Sequence, residues 1–272
     1  MKRHFAYLND LAHGLCDLPD AVTETFLEPV FDCARESASL LANRVTVSIG
    51  DALYELPKFL LLGERGGGVP IRLGLYAGMD AERLDTVIAA SRLLLQLELS
   101  PILAQDYAVL ASPVVNLAGF GWEKSPFVQF QKRYAKGAVD GDVRYFQRDF
   151  AKWKHDGLIF LRSTGMNTAF SATVRSQVLA DEVVGPALET IASFVPLARQ
   201  PVRVLPESAV ARFADFNAGR LLPSPDMRPW PFEIELYAPA SVDCELRVRS
   251  LFLAVIEIMR RYRQFIAHAG EL

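Results

Sequence analysis

Asp80 and Arg83 stand three residues apart just after Ala77-Gly78, where the apolar run Ile71 to Tyr76 gives way to a helical pattern. Side chains three apart at a helix entrance share a face. In an open α/β sheet, the carboxyl end of a strand is where ligands and chemistry sit. Arg162 ends a second compact apolar run, Gly157 to Arg162, and is expected to arrive at the same place from a neighbouring strand end. Asn116, in the turn after Tyr107 to Val115, Tyr237, at the end of Phe232 to Tyr237, and Arg133, in a basic stretch, complete the candidate group. Guanidinium groups crowded into one cleft suit an anion. They also repel, so Asp80 is expected to pair with Arg162, Arg83 or both.

Other chemistries find less support. The only histidines are His4, His13, His155 and His268, and none has a partner at metal-ligand spacing. His155 precedes the Asp156-Gly157 turn, at the opposite end of its strand from Arg162, and reads as a surface or turn residue. Ser163 lacks the Gly-x-Ser-x-Gly context of a nucleophile and has no histidine at hand. Gly66-Gly67-Gly68 precedes a strand, not a helix, so it reads as a flexible turn and not as a phosphate loop. Lys124, Lys132, Arg133 and Lys136, interleaved with Trp122, Phe127, Phe130 and Tyr134, have the residue types that bind single-stranded nucleic acid. With 29 Lys and Arg against 32 Asp and Glu, a net charge of -3, they read instead as a solvated loop over the cleft, and no nucleic-acid or membrane partner is expected. No apolar stretch approaches the roughly 18 residues of a membrane helix. Cys16, Cys33 and Cys244 are odd in number and widely spaced, which argues against a disulfide framework and for a reducing cytoplasm.

The elements that must position these residues follow from period and punctuation. At 51% hydrophobic, 272 residues can bury a large core, and one large domain is expected. Asp20 to Ala42 has helical spacing. Arg44 to Ile49 and Leu56 to Leu62, joined through Gly50-Asp51, read as a β-hairpin. Ile71 to Tyr76 is a strand, Ala81 to Glu98 a helix, and Tyr107 to Val115 a strand. A long loop from Gly121 to Gly141 follows. Then come a helix Asp142 to Lys154, the strand Gly157 to Arg162, a helix Leu179 to Val195 and a strand Val202 to Leu205. Pro206 to Gly219 reads as helix and turn, Pro223 to Pro231 as loop, and Phe232 to Tyr237 as a strand. The chain closes with an amphipathic helix, Val242 to His268, striped by Leu251, Val255, Ile258, Tyr262 and Phe265. Strands alternating with long helices predict a three-layer α/β/α sandwich with a mixed, mostly parallel central sheet. Residues 1-43 are expected as an N-terminal helical segment packed on a domain of residues 44-272.

Four segments, Pro70-Ile-Arg-Leu-Gly-Leu-Tyr-Ala-Gly78, Pro113-Val-Val-Asn-Leu-Ala-Gly-Phe120, Asp156-Gly-Leu-Ile-Phe-Leu-Arg162 and Pro231-Phe-Glu-Ile-Glu-Leu-Tyr-Ala-Pro239, fall in a telling order. Together they resemble the zinc carboxypeptidase superfamily, near succinylglutamate desuccinylase and aspartoacylase. The resemblance implies a zinc held by a His-x-x-Glu pair after the Ala-Gly and by a later histidine, with a glutamate to deprotonate the metal-bound water. Those places fall on Asp80, Arg83, Arg162 and, for the glutamate, Tyr237. Arginine stays protonated and cannot ligate zinc, so no metal site and no catalytic residue are expected. Arg133, in Gln131-Lys-Arg-Tyr134, falls near the family's substrate-carboxylate arginine, although the surrounding motif departs from it. Asp80 with Arg83 and Arg162 carries the same +1 as zinc with two neutral histidines and a glutamate.

The resulting expectation is a zinc-less member of the fold that binds a carboxylate-bearing small molecule or peptide C-terminus in its vestigial cleft. A divergent hydrolase of the metallocarboxypeptidase or N-acyl amino-acid deacylase class is the alternative. A structural protein that uses its C-terminal helix as an interface is the third reading.

Overall fold

Alternation along the central strands sends successive side chains into two separate cores. Ile71, Leu73 and Leu75 join Ile159 and Leu161 in the larger one. Tyr76, Leu158 and Phe160 face the other way, toward Val143 and Phe146. A strand with period two and both faces apolar requires cover on both sides, and that need produces the layered architecture.

The computed structural model describes residues 22–49, 52–80, 83–116, 141–153, 155–165, 168–205 and 231–268. In chain order these form helix α1 (Val22–Glu36) and strands β1 (Leu40–Ile49), β2 (Ala52–Leu62) and β3 (Ile71–Tyr76). Helix α2 (Asp85–Leu99), strand β4 (Tyr107–Ser112), helix α3 (Gly141–Lys152) and strands β5 (Gly157–Thr164) and β6 (Phe170–Val174) follow. A helical stretch α4 comprises Gln177–Leu179, a π segment Ala180–Val184 and Gly185–Glu189. Strands β7 (Leu197–Val204) and β8 (Phe232–Pro239) and helix α5 (Cys244–His268) complete it.

The eight strands form one sheet in the order β1-β2-β4-β3-β5-β8-β6-β7. The pairs β4-β3, β3-β5, β5-β8 and β6-β7 are parallel, and β1-β2, β2-β4 and β8-β6 are antiparallel. Helices α1, α2, α4 and α5 pack in the larger core and α3 in the smaller, giving the expected three-layer α/β/α sandwich. Helix α2 is buried on nearly every side and is clamped to α5 by a bidentate Arg92–Glu245 pair with both contacts at 2.7 Å.

Several elements differ from the sequence reading. The first helix stops at Glu36, because Leu40 to Asn43 pair with Lys58 to Leu61 as the start of β1, and strand pairing overrides their helical spacing. Strand β6 was not anticipated: Phe-Ser-Ala-Thr-Val is short and weakly apolar, and its antiparallel register with β8 holds it in place. The helix expected over Leu179 to Val195 widens to a π turn just before Pro186, which lacks the backbone donor a regular turn would use. Cys244 is disulfide-bonded and Cys33 is free. This corrects the expectation of no disulfide, since an odd count still allows one bridge, and the compartment inferred from it loses its basis. The Gly50-Asp51 turn, the Gly121 to Gly141 loop apart from Gly141, the Pro206 to Gly219 helix, nearly all of the Pro223 to Pro231 loop and Arg133 lie outside the described residues. No described helix is long and apolar enough to cross a membrane.

His155 is not a surface turn. Its Nε2 lies 2.9 Å from the hydroxyl of the fully buried Tyr76, which packs edge-on against Phe146. Burial, reinforced by nearby Lys58, lowers the His155 pKa to about 4. An unfolded histidine takes up its proton near pH 6.5, so from about pH 6.5 down to about 4 the unfolded chain binds a proton that the folded chain refuses. Stability must fall through that window by up to about 3 kcal/mol from this residue. His155→Gln should flatten the dependence of urea-unfolding free energy on pH between 4 and 6.5; an unchanged slope would show that His155 titrates normally.

Candidate functional site

The site is built where β3 runs out. The parallel ladder between β3 and β4 continues into the turn, with Ala77 N–H donating to Ser112 O at 3.1 Å and Val115 N–H to Ala77 O at 3.1 Å. Gly78 adopts φ +64, and a Cβ there would stand 2.7 Å from Pro113 O, so glycine is required on both counts. Its N–H donates to Thr86 Oγ1 at 3.1 Å, and Asn116 Nδ2 donates to Met79 O at 3.2 Å. Asn116 is fully buried and braces this turn. The turn delivers the Asp80 carboxylate, 7% exposed, to the ends of the neighbouring strands.

Arg162 meets it from β5. Its Nε donates to Asp80 Oδ2 at 2.8 Å and its Nη2 to Oδ1 at 2.7 Å, a bidentate pair, and Ser163 N–H donates to Oδ2 at 2.9 Å. Arg162 is 2% exposed. Its Nη1 lies 3.7 Å from Glu235 Oε2, and its guanidinium carbon lies 5.6 Å from the Tyr237 ring centre. The β5-β8 register explains this convergence, since Arg162 is opposite Tyr237 and Phe160 opposite Glu235. Tyr237 donates its hydroxyl to Glu235. Burial pulls the Arg162 pKa down, but Asp80 and then Glu235 outweigh it, and the net shift is upward.

A second pair adjoins the first. Ser163 Oγ donates to Asp85 Oδ2 at 2.7 Å, and Arg247 of α5 donates through Nε to the same oxygen. Asp85 is fully buried and Arg247 is 6% exposed. Ser163, dismissed as a nucleophile, therefore joins two ion pairs, its N–H on Asp80 and its hydroxyl on Asp85. The strand ends, α2 and α5 become one polar cluster.

Of the six candidates read from sequence, Asp80, Arg162, Asn116 and Tyr237 converge here. Arg83 is partly exposed and makes no hydrogen bond or ion pair with a described residue. Arg133 lies outside the described residues. Glu235, Asp85 and Arg247 were missed, and only Arg247 left a clear trace. Glu235 alternates with apolar residues, as a surface carboxylate would, whereas Arg247 lies four residues before Leu251, on the apolar stripe of α5. Asp85 opens a helix with hardly an exposed residue. A charge at an apolar position signals a buried partner. With Glu235 added, the group of Asp80, Arg83 and Arg162 becomes neutral instead of positive.

No protein-family model and no curated protein matches the chain. Solved structures do. One from Shewanella baltica OS155, provisionally described as a metallopeptidase, superposes with a TM-score of 0.62 at 13% identity, over 88% of this chain and 92% of its own. A metallo-carboxypeptidase from Burkholderia cenocepacia gives 0.61 at 9% identity, over 89% of this chain and 68% of that one. This chain has the zinc-carboxypeptidase fold. A succinylglutamate desuccinylase/aspartoacylase from Rhodobacter sphaeroides shares it, with a TM-score of 0.53 at 14% identity over 83% of this chain and 65% of its own.

The zinc that gives the fold its name does not fit the described residues at these strand ends. Zinc needs imidazole, thiolate or carboxylate lone pairs. Here Arg162 presents only donors, and the Asp80 carboxylate already accepts three N–H bonds. Among the described residues, no group of three or more His, Cys, Asp and Glu is placed to hold a metal ion.

Removing one partner from a buried ion pair costs far more than removing an exposed charge. Asp85→Ala should therefore destabilise the protein by about 3 kcal/mol, by stranding Arg247 and the Ser163 hydroxyl. Arg83→Ala should change stability by no more than about 0.5 kcal/mol. Urea unfolding of both variants checks this, and a cost for Asp85→Ala below about 1 kcal/mol would mean that water reaches the cluster.

Proposed function

We propose that the chain is a catalytically inactive, zinc-independent protein of carboxypeptidase-like fold, whose vestigial centre now serves to hold the sheet and helices together. The bidentate Asp80–Arg162 pair carries this reading, because it fills the strand ends with a guanidinium that neither binds a metal nor accepts a proton. Hydrolysis in this fold requires a metal-activated water and a base to deprotonate it. Glu235 is the described carboxylate that touches the candidate base position, Tyr237. It is 5% exposed and accepts from Tyr237, so it is engaged within the cluster.

The purified protein should hold no stoichiometric zinc and should not release C-terminal amino acids or cleave N-acyl amino acids. Elemental analysis and an assay with and without a chelator check both statements. Zinc near one per chain, with activity lost to the chelator, would overturn the proposal.

A ligand-binding reading draws on one further observation. Of the two described cations of the original group, Arg83 has exposed surface and makes no ion pair with a described carboxylate. Arg162 is enclosed and committed to Asp80. A carboxylate-bearing small molecule or peptide C-terminus would therefore be held through Arg83. Small dicarboxylates or an acyl amino acid at millimolar concentration should raise the melting temperature by mass action, and Arg83→Gln should abolish the shift. An anionic library without effect would leave only the structural role.

A further inference from the structure

A cleft of about 370 Å³ opens between helix α3 and the β1-β2 hairpin. Tyr145, Arg148, Asp149, Lys152 and Trp153 recur at helical spacing and form one wall. Alternate residues of the strands, Leu41 and Val45 on β1 and Lys58 and Leu60 on β2, form the other. None of these residues belongs to the cluster around Asp80.

The walls supply apolar surface and an excess of positive charge. Lys58, with 11% of its side chain exposed, is paired with the buried Asp149, and its ammonium lies 5.2 Å from the Trp153 ring centre and 5.8 Å from that of Tyr145. Arg148 and Lys152 are exposed and make no ion pair with a described carboxylate. Among the described residues, the cleft thus holds three cations against one carboxylate. Lys152 stands close enough to act on Lys58, whose pKa is lowered first by burial and then, against the opposing pull of Asp149, by Lys152. An anion between the two ammonium groups would relieve that repulsion. Pockets of a few hundred cubic ångströms with aromatic walls and few polar anchors are typical small-molecule sites.

We propose that this cleft is a binding site for a small organic anion with a flat, apolar body, such as an aromatic carboxylate. Its ring lies against Trp153 and Tyr145, and its carboxylate lies among Lys58, Lys152 and Arg148. This assignment is independent of any ligand at Arg83.

The probes are 2-naphthoate and its uncharged isostere 2-naphthamide, titrated by calorimetry and by fluorescence. Naphthoate should bind one per chain at millimolar concentration or below, and the amide about tenfold more weakly or worse. Arg148→Gln with Lys152→Gln changes only exposed side chains and should keep the native melting temperature while weakening naphthoate by about tenfold. Arg83→Gln should leave binding unchanged. Equal affinity for acid and amide, full affinity in the double variant, loss of binding on Arg83→Gln, or no binding below about 10 mM would each overturn the assignment.

Discussion

A guanidinium that is 2% exposed persists in a fold only where a carboxylate meets it, and for Arg162 that carboxylate is Asp80. The pair constrains everything around it. Asp80 reaches Arg162 because Gly78 turns the chain against Pro113 and because Asn116 and Thr86 hold the turn. Arg162 reaches Asp80 because β5 lies between β3 and β8 in register. Ser163 then carries the constraint to Asp85, and Asp85 carries it to Arg247 and helix α5. A buried ion pair adds little net stability over apolar packing, yet it punishes any arrangement that separates its members. Its contribution is to the uniqueness of the strand-end geometry.

In the zinc-carboxypeptidase fold, strand ends converge on one point, and side chains of one sign alone would repel there. Here the convergence is satisfied by alternating charge: Glu235, Arg162 and Asp80 in one row, Asp85 and Arg247 in the next. A metal offers an open position and acidifies water, whereas a guanidinium and a carboxylate pair with one another. The cleft between α3 and the β1-β2 hairpin differs in this respect, since among its described residues cations outnumber carboxylates and two of them remain at the surface.

Much of the sheet was legible in the sequence because its central strands are short, mostly apolar runs: Leu158 to Leu161 is unbroken, Ile71 to Tyr76 is interrupted only by Arg72 and Gly74, and Phe232 to Tyr237 alternates apolar residues with Glu233 and Glu235. The Asp80–Arg162 pair was legible too, since Asp80 follows the end of one strand, Arg162 lies near the end of another, and crowded arginines call for a carboxylate; that Glu235 also meets Arg162 was not foreseen. Strand β6 was not, because Ser171 and Thr173 dilute its pattern and its pairing partner, β8, lies some sixty residues away. Arg247 stood on a visibly apolar stripe, whereas Glu235 and Asp85 stood where surface carboxylates are ordinary, and which charge would meet which depends on register between β5 and β8 and on the packing of α2 against α5, neither of which local pattern encodes. His155 looked like a turn residue for the same reason, as its partner Tyr76 belongs to another strand.

The account stands on the claim that Asp80 and Arg162 act as one buried unit. A double-mutant cycle with Asp80→Leu and Arg162→Met, read by urea unfolding, measures this directly. Each single change should cost about 3 kcal/mol or more and the double change less than the sum of the two, with a coupling energy of about 2 kcal/mol or more. Additive losses, with coupling below about 0.5 kcal/mol, would contradict the claim and return the strand ends to solvent or to another ligand.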